Sequence, residues 1–301
     1  AIQPSLIFSV TPLVWALLAI LGISGWSLLL RVVSKAHNDY QAVGGISEWL
    51  SLILVFASMA ALGSSFAQPA GGFDWSAVPA LGWLAMLGSA LCYSGFMYLS
   101  YKAYQTVEAS ERSVINQLQI GWTVFLSVLL LSERLGWGQA LGAALIVAGA
   151  LACTYEKGHR RWKASGVQLL AAASIFAGTA SLFDKVGVQH FPPLVYAIPQ
   201  YGLPAAIMMF LMGKDAVPRM LKVWKAHRGV LLATAVFSIL SFVAYLLALQ
   251  QLPVSEVVPL INLNVIVGVL GGILLLGEKK GWPQKILGAI LAFAGAWLIV
   301  G

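Results

Sequence analysis

SERSVINQLQIGWTVFLSVLLLSERLGWGQ, residues 110–139, returns as SEVVPLINLNVIVGVLGGILLLGEKKGWPQ, residues 255–284. At a constant offset of 145 residues, Ser110 and Glu111 fall on Ser255 and Glu256, and Leu118 falls on Leu263. Glu133, Gly136, Trp137 and Gln139 fall likewise on Glu278, Gly281, Trp282 and Gln284. After one inserted residue, Gly142, Ala143, Gly149 and Ala150 match Gly288, Ala289, Gly295 and Ala296, so both copies end in a helix with the same small-residue face. The chain is a duplication, and each copy is apolar.

The solvent follows from composition. With 59% hydrophobic and 10% charged residues and a mean hydropathy of +0.85, a water-soluble domain of 301 residues would lack the polar groups to cover its surface. Apolar runs near 20 residues, the helical length that spans a bilayer core of about 30 Å, recur with short polar breaks. They do not alternate as barrel strands do. The fold class is therefore an all-α polytopic membrane protein, with ten transmembrane helices predicted over 12–34, 44–64, 80–102, 112–131, 138–155, 165–184, 194–212, 230–251, 255–276 and 283–300. The first run carries Trp15 and Trp26 and no preceding basic region, so it reads as a retained span rather than a signal peptide.

Five spans per copy force the two halves into opposite orientations. Residues 1–155 and 156–301 then form inverted five-helix repeats of one integrated membrane domain, the architecture in which a midplane site is exposed alternately to each side. The longest polar connections, 65–78, 156–164 and 214–229, leave no room for a soluble enzyme domain.

The motifs LLLSERLGWGQALGAALIVAGA and LLLGEKKGWPQKILGAILAFAGA, with AGTASLFDKVGVQHFPPLVYA from Ala177, resemble the drug/metabolite transporter superfamily in its ten-helix form with two EamA-type repeats. Gly178 precedes Lys185 by seven residues as in the opening helix of such a repeat; the first copy departs from this, since Lys35 lies ten residues past Gly25. The resemblance covers the whole chain. It implies a transporter in a bacterial inner membrane, similar to exporters of aromatic or amphiphilic amino acids, without specifying the cargo.

Candidate binding residues are the polar and aromatic ones inside spans. Asn116, Gln117 and Gln119 in the fourth helix are matched in part by Asn262 and Asn264 in the ninth, and amides offer donors and acceptors for carboxylate, amine or hydroxyl groups. The same residues could instead be hydrogen-bonding glue between helices. On a continuous helix Asn262 and Asn264 cannot both line one cavity, because i and i+2 diverge. Trp26, Tyr98, Thr179 and Tyr245 complete the candidate set, with Tyr93, Tyr101, Phe176 and Phe183 near the same level. Trp137, Trp224 and Trp282 read as interface anchors.

Glu111, Glu256, Glu133 and Glu278 stand at helix ends, where capping and water solvate a charge, and Asp184 and Lys185 are expected to close the sixth helix as a pair. No acidic residue is expected mid-span, which argues against a cation antiporter built on a buried carboxylate. Cys92, Cys153 and four scattered histidines form no metal or disulfide pattern, and no phosphate-binding loop is present, so no cofactor is expected.

Of the 18 Lys and Arg, only Arg134 and Lys185 lie on one side of the predicted topology. By the positive-inside rule the other side, with Lys157, Arg160, Arg161, Lys163 and the segment from Lys214 to Arg228, is cytoplasmic and both termini are outside; the resemblance implies the reverse. The net charge of +7 reflects this asymmetry and does not call for nucleic acid. The expected partners are a small-molecule substrate and the lipid bilayer, for a monomer or weak homodimer. The sequence thus points to a secondary carrier of a small amphiphilic metabolite, amino acids foremost; the alternative is a lipid-handling or structural membrane subunit.

Overall fold

A computed structural model describes residues 11–62, 73–131, 136–153, 155–156, 159–160, 165–252, 254–278 and 280–300. The first repeat contributes α1 (Pro12–Ala36), α2 (Tyr40–Leu62), α3 (Ala80–Ala103), α4 (Ala109–Ile115), α5 (Leu118–Leu131) and α6 (Trp137–Cys153). The second contributes α7 (Ser165–Gly187), α8 (Pro193–Met212), α9 (Ala216–Gln251), α10 (Val254–Ile261), α11 (Asn264–Leu274) and α12 (Trp282–Val300). A two-residue β-pair, Tyr155–Glu156 with His159–Arg160, lies in the connection between the repeats. Among the described residues, five helical stretches are long and apolar enough to cross a membrane, the last of them, Pro193–Gln251, holding both α8 and α9.

The fourth and ninth spans are each broken, where the sequence predicts continuous helices over 112–131 and 255–276. At Asn116 and Gln117 the backbone tightens to three-residue hydrogen bonds, Gln117 N to Val114 O at 3.1 Å and Ile120 N to Gln117 O at 2.9 Å. At Asn262 and Leu263 the same happens, with Leu263 N to Leu260 O at 3.2 Å and Val265 N to Asn262 O at 3.1 Å. A break inside a membrane leaves backbone groups unsatisfied unless they face protein or a polar cavity. The amide-rich positions are the places where the helices open.

Two further boundaries move. Asp39 caps α2 by accepting from Ala42 N at 3.1 Å, so this helix starts four residues before the predicted 44. Residues 216–226 are helical rather than a polar connection, with Ala216, Met220 and Val223 buried on one face and Lys222 and Lys225 exposed on the other. A kink at His227 (φ −135°, ψ 26°) joins this amphipathic segment to the spanning part of α9. Arg219 on it grips Asp39 with bonds of 2.8 and 2.6 Å and holds that carboxyl below the usual range. Both side chains are about one-third exposed, so the pair contributes less than about 1 kcal/mol.

The most extensive packing runs between the repeats. The four most extensive helix pairings are α6 with α12, α1 with α9, α3 with α7 and α2 with α8, and each joins one copy to the other. The α6/α12 crossing shows the pseudo-twofold directly. A Cβ on Gly149 would lie 2.7 Å from Gly288 O, and one on its repeat mate Gly295 would lie 2.5 Å from Gly142 O. The matched small-residue faces of the two copies are thus each other's partners, in backbone-to-backbone contact.

The polarity is that of a membrane protein. Leu17, Leu84, Phe210, Leu274 and Trp297 are exposed on the outer surface, while Ser24, Ser89, Asp184, Gln200 and Ser238 are buried inside. Trp137 and Trp282 open α6 and α12 as exposed rings.

Glu278 lies in the turn before α12, but it is buried and not solvated by water as the sequence reading expects. Its carboxylate accepts from Ala109 N at 2.9 Å, Ser110 N at 3.0 Å and Ser110 Oγ at 2.8 Å, closing the N-terminus of α4 in the other repeat. The N-cap itself is Glu108, in a reciprocal box with Glu111. Lys285 bonds both Glu108 and the Glu278 carbonyl, and Arg31 stands 3.7 Å from the Glu278 carboxylate. Glu278→Gln should lower stability by about 1–3 kcal/mol, read as a fall in thermal midpoint in detergent; an unchanged midpoint would show that the cap is dispensable. Glu133, the repeat mate of Glu278, and the side chain of Glu256 lie outside the described residues. Since Arg31, Arg112 and Lys285 are buried, three charges counted as connection residues are internal; the bias of the remaining ones keeps its sign.

Candidate functional site

A central cavity opens between the repeats, with about 1120 Å³ of non-atom space counted out to its mouth. It is walled by α1, α3, α7, α8 and α9, and by both broken spans. Trp26, Tyr93, Phe96, Phe242 and Tyr245 give it an aromatic side, and Ser24, Ser27, Ser181, Ser238 and Ser241 line it with hydroxyls. This is the composition of a site for an amphiphilic small molecule.

Arg112 carries the only formal charge among the described lining residues. Its guanidinium is buried, donates to Ser27 Oγ and stands over two rings that meet edge to face, with Trp26 at 4.8 Å and Tyr104 at 4.2 Å from the ring centroids. Its Nε has no hydrogen-bond acceptor, and no described carboxylate forms an ion pair with it. Burying a cation without an anion costs several kcal/mol. The sequence reading missed this residue because it placed Arg112 at the edge of a charged connection; the start of α4 at Ala109 carries it inward.

Six of the nine candidate residues meet in the cavity: Trp26, Asn116, Gln119, Tyr245, Asn262 and Asn264. Asn262 and Asn264 both line it, against the expectation from helix geometry, because the chain is broken between them. Asn116 Oδ1 is buried with no partner, and Gln119 Nε2 reaches Ser181 Oγ at 3.2 Å. Three candidates lie elsewhere. Gln117 is buried and bonds Ser113 O at 3.2 Å and Asn262 O at 3.3 Å, joining the two breaks to each other. Tyr98 pairs with Tyr40, hydroxyl to hydroxyl at 3.1 Å. Thr179 accepts from Trp122 Nε1 at 3.0 Å. Phe176 and Phe183 also face away, laid over Gly95 and Gly88 of α3, whereas Tyr93 does line the cavity.

The expectation that no carboxylate sits within a span is overturned twice. Glu48, placed four residues deeper in α2 by the earlier helix start, is buried and accepts from Tyr101 OH at 2.7 Å. Asp184 is 0% exposed, because α7 continues to Gly187, and it accepts from Ser89 Oγ, Tyr196 OH and Tyr245 OH. It does not pair with Lys185, whose ammonium instead bonds Leu249 O and Leu252 O, each at 2.8 Å.

The EamA-like transporter family matches this chain twice, over residues 10–155 and 164–301. The chain belongs to the EamA-like transporter family. The two matches are the two halves of the duplication, and the family is one of polytopic membrane transporters of small metabolites. A probable amino-acid metabolite efflux pump of Salmonella typhimurium is 27% identical over 71% of this chain and 74% of its own. A probable terminal-alkyne amino-acid exporter of Streptantibioticus cattleyicolor is 26% identical over 64% of each. A Lactobacillus johnsonii protein assigned to sugar uptake is 25% identical over 92% of this chain and 93% of its own. A solved crystal structure superposes with a TM-score of 0.61 over 95% of both chains at 19% identity, a likeness of fold alone.

Proposed function

We propose that this EamA-family protein is a secondary transporter of the bacterial cytoplasmic membrane that moves a small amphiphilic carboxylate, amino acids foremost, by alternating access. The observation that carries the reading is Arg112, a buried guanidinium on the cavity wall with no carboxylate of its own. A ligand carboxylate supplies the missing anion, with bonds stronger than those between neutral groups. The unpartnered Asn116 Oδ1 and the Tyr245 hydroxyl suit an ammonium or hydroxyl on the same molecule. The aromatic wall takes its apolar side chain, and two relatives named for amino-acid export favour that class. A lipid-handling role would need an apolar groove open to the bilayer, and a guanidinium with amides does not suit one.

The two broken spans support alternating access, because they face each other across the pseudo-twofold and open toward one site. Radiolabelled-solute counterflow in proteoliposomes tests the proposal, using amphiphilic amino acids, the amines they give on decarboxylation, and neutral sugars. Counterflow of amino acids but not of the matched amines is the expected result. Exchange of sugars alone would replace this reading with that of the sugar-uptake relative.

A further inference from the structure

Asp184 belongs to the same face of α7 as Ala177 and Ser181, at spacings of seven and three residues, and those two line the cavity. It therefore stands about one turn beyond the cavity wall, toward the membrane side opposite Arg112. The placement follows from the topology: Arg112 is in the first turn of α4, just after the connection between α3 and α4, and Asp184 is in the last turn of α7, just before the connection between α7 and α8.

We propose that Asp184 is a proton-binding site coupled to the transport cycle through Tyr245. This rests on the transporter reading and adds a coupling ion to it. Three hydroxyls from three other helices surround the carboxylate: Ser89 of α3, Tyr196 of α8 at 3.0 Å and Tyr245 of α9 at 3.3 Å. The other ionisable groups that face it are Cys92 and Tyr93 of α3. Every one of these neighbours is a neutral hydroxyl or thiol, and the ammonium of adjacent Lys185 is committed to two carbonyls. A carboxylate at such a place has two states, an unpaired anion that accepts three hydrogen bonds or a neutral acid that donates one. Passing between them takes one proton and the rotation of one hydroxyl.

The connection to the cavity is direct. Tyr245 lines it and bonds Asp184 Oδ2; Gln200 also lines it and lies 3.4 Å from Ser89 Oγ. Ser89 comes from the first repeat and the other partners from the second, so this hydroxyl shell spans the surface along which the halves must rock. In the step proposed, Asp184 takes one proton from water on one side while the cavity faces that side and returns it to the other side after the halves rock; no bond other than O–H forms or breaks. A zwitterionic cargo exchanged for that proton moves one net charge per cycle.

Infrared difference spectroscopy on the purified protein reads the site without any substrate. Wild type should show a carboxylic C=O band that changes with pH and that Asp184→Asn removes; Tyr245→Phe should retain it. A spectrum in which no band depends on Asp184 overturns the proposal. In proteoliposomes, an inward-acid gradient should accumulate labelled L-phenylalanine, or whichever amino acid of the panel exchanges best, at least tenfold above the ungraded level. Asp184→Asn should retain counterflow of that solute and lose the gradient-driven accumulation. Equal accumulation by Asp184→Asn and wild type overturns proton coupling while leaving transport intact. Loss of counterflow from wild type across the whole panel refutes the transporter reading, and the infrared band then decides the proton site by itself.

Discussion

Replacing Arg112 with Gln is expected to abolish amino-acid counterflow while leaving the fold at least as stable as before. The two effects have different origins. In the loaded state the guanidinium and the cargo carboxylate form a charge-assisted pair in a water-poor site, and deleting one member of such a pair costs about 2–5 kcal/mol, or roughly 30-fold to several thousand-fold in affinity. In the empty state the cation is buried without an anion, so its removal relieves a desolvation penalty of several kcal/mol that exceeds the about 0.5–2 kcal/mol of cation–π attraction to Trp26 and Tyr104. Arg112→Lys keeps the charge but loses the planar, forked set of donors and should fall between the two. Counterflow and thermal midpoint measured on the same preparations check both signs. If Arg112→Gln lowers the midpoint and leaves exchange untouched, Arg112 is a structural strut and the site is built on other groups.

The second large effect is expected at the α6/α12 crossing. A leucine at Gly295 would drive its side chain into the Gly142 carbonyl and the backbone of Ile146, which cannot rotate aside as a side chain can. Overpacking in a well-fitted core costs about 1–3 kcal/mol when side chains yield, and here the neighbours are main chain, so helix separation should follow. Gly295→Leu and its repeat mate Gly149→Leu should each fail to elute as a single monodisperse peak by size-exclusion chromatography. Gly121→Ala is the control: nothing lies within 4 Å of a Cβ there, and alanine favours the helix by about 1 kcal/mol. A monodisperse Gly295→Leu protein would mean that the two helices are not held at backbone contact.

The duplication and the apolar runs made the span order legible, because both depend on pattern over long stretches. What escaped was local geometry. Asn116, Gln117, Asn262 and Asn264 were singled out as polar residues in spans, but a continuous helix was assumed around them, and the break that lets both Asn262 and Asn264 reach the cavity leaves no mark in periodicity. Glu48, Asp184 and Arg112 were misplaced for a related reason. Each lies within a turn or two of a helix end, and shifts of three or four residues in that end decide whether a charge is in water or in the core. Tyr98 and Thr179 carried the right chemistry on the wrong face, which only the rotation of each helix against its neighbours determines. Gln117 shows the limit of residue type as a guide, since an amide that bridges two breaks looks in sequence like one that meets a ligand.

The cross-repeat packing has a consequence for biogenesis. Helices enter the membrane in chain order, yet the first N–H groups of α4 bond to Glu278 and the glycine face of α6 is covered by α12, both from the last part of the chain to be synthesised. When the first five spans have been inserted, their best partners do not yet exist. Residues 1–155 must wait in the lipid as a set of loosely associated helices, with Glu108 lacking the Lys285 ammonium that α12 supplies, until the final span arrives. Quality-control proteases that survey the membrane would therefore see a long-lived open intermediate, and truncations near the C-terminus should be cleared as completely as truncations near the middle.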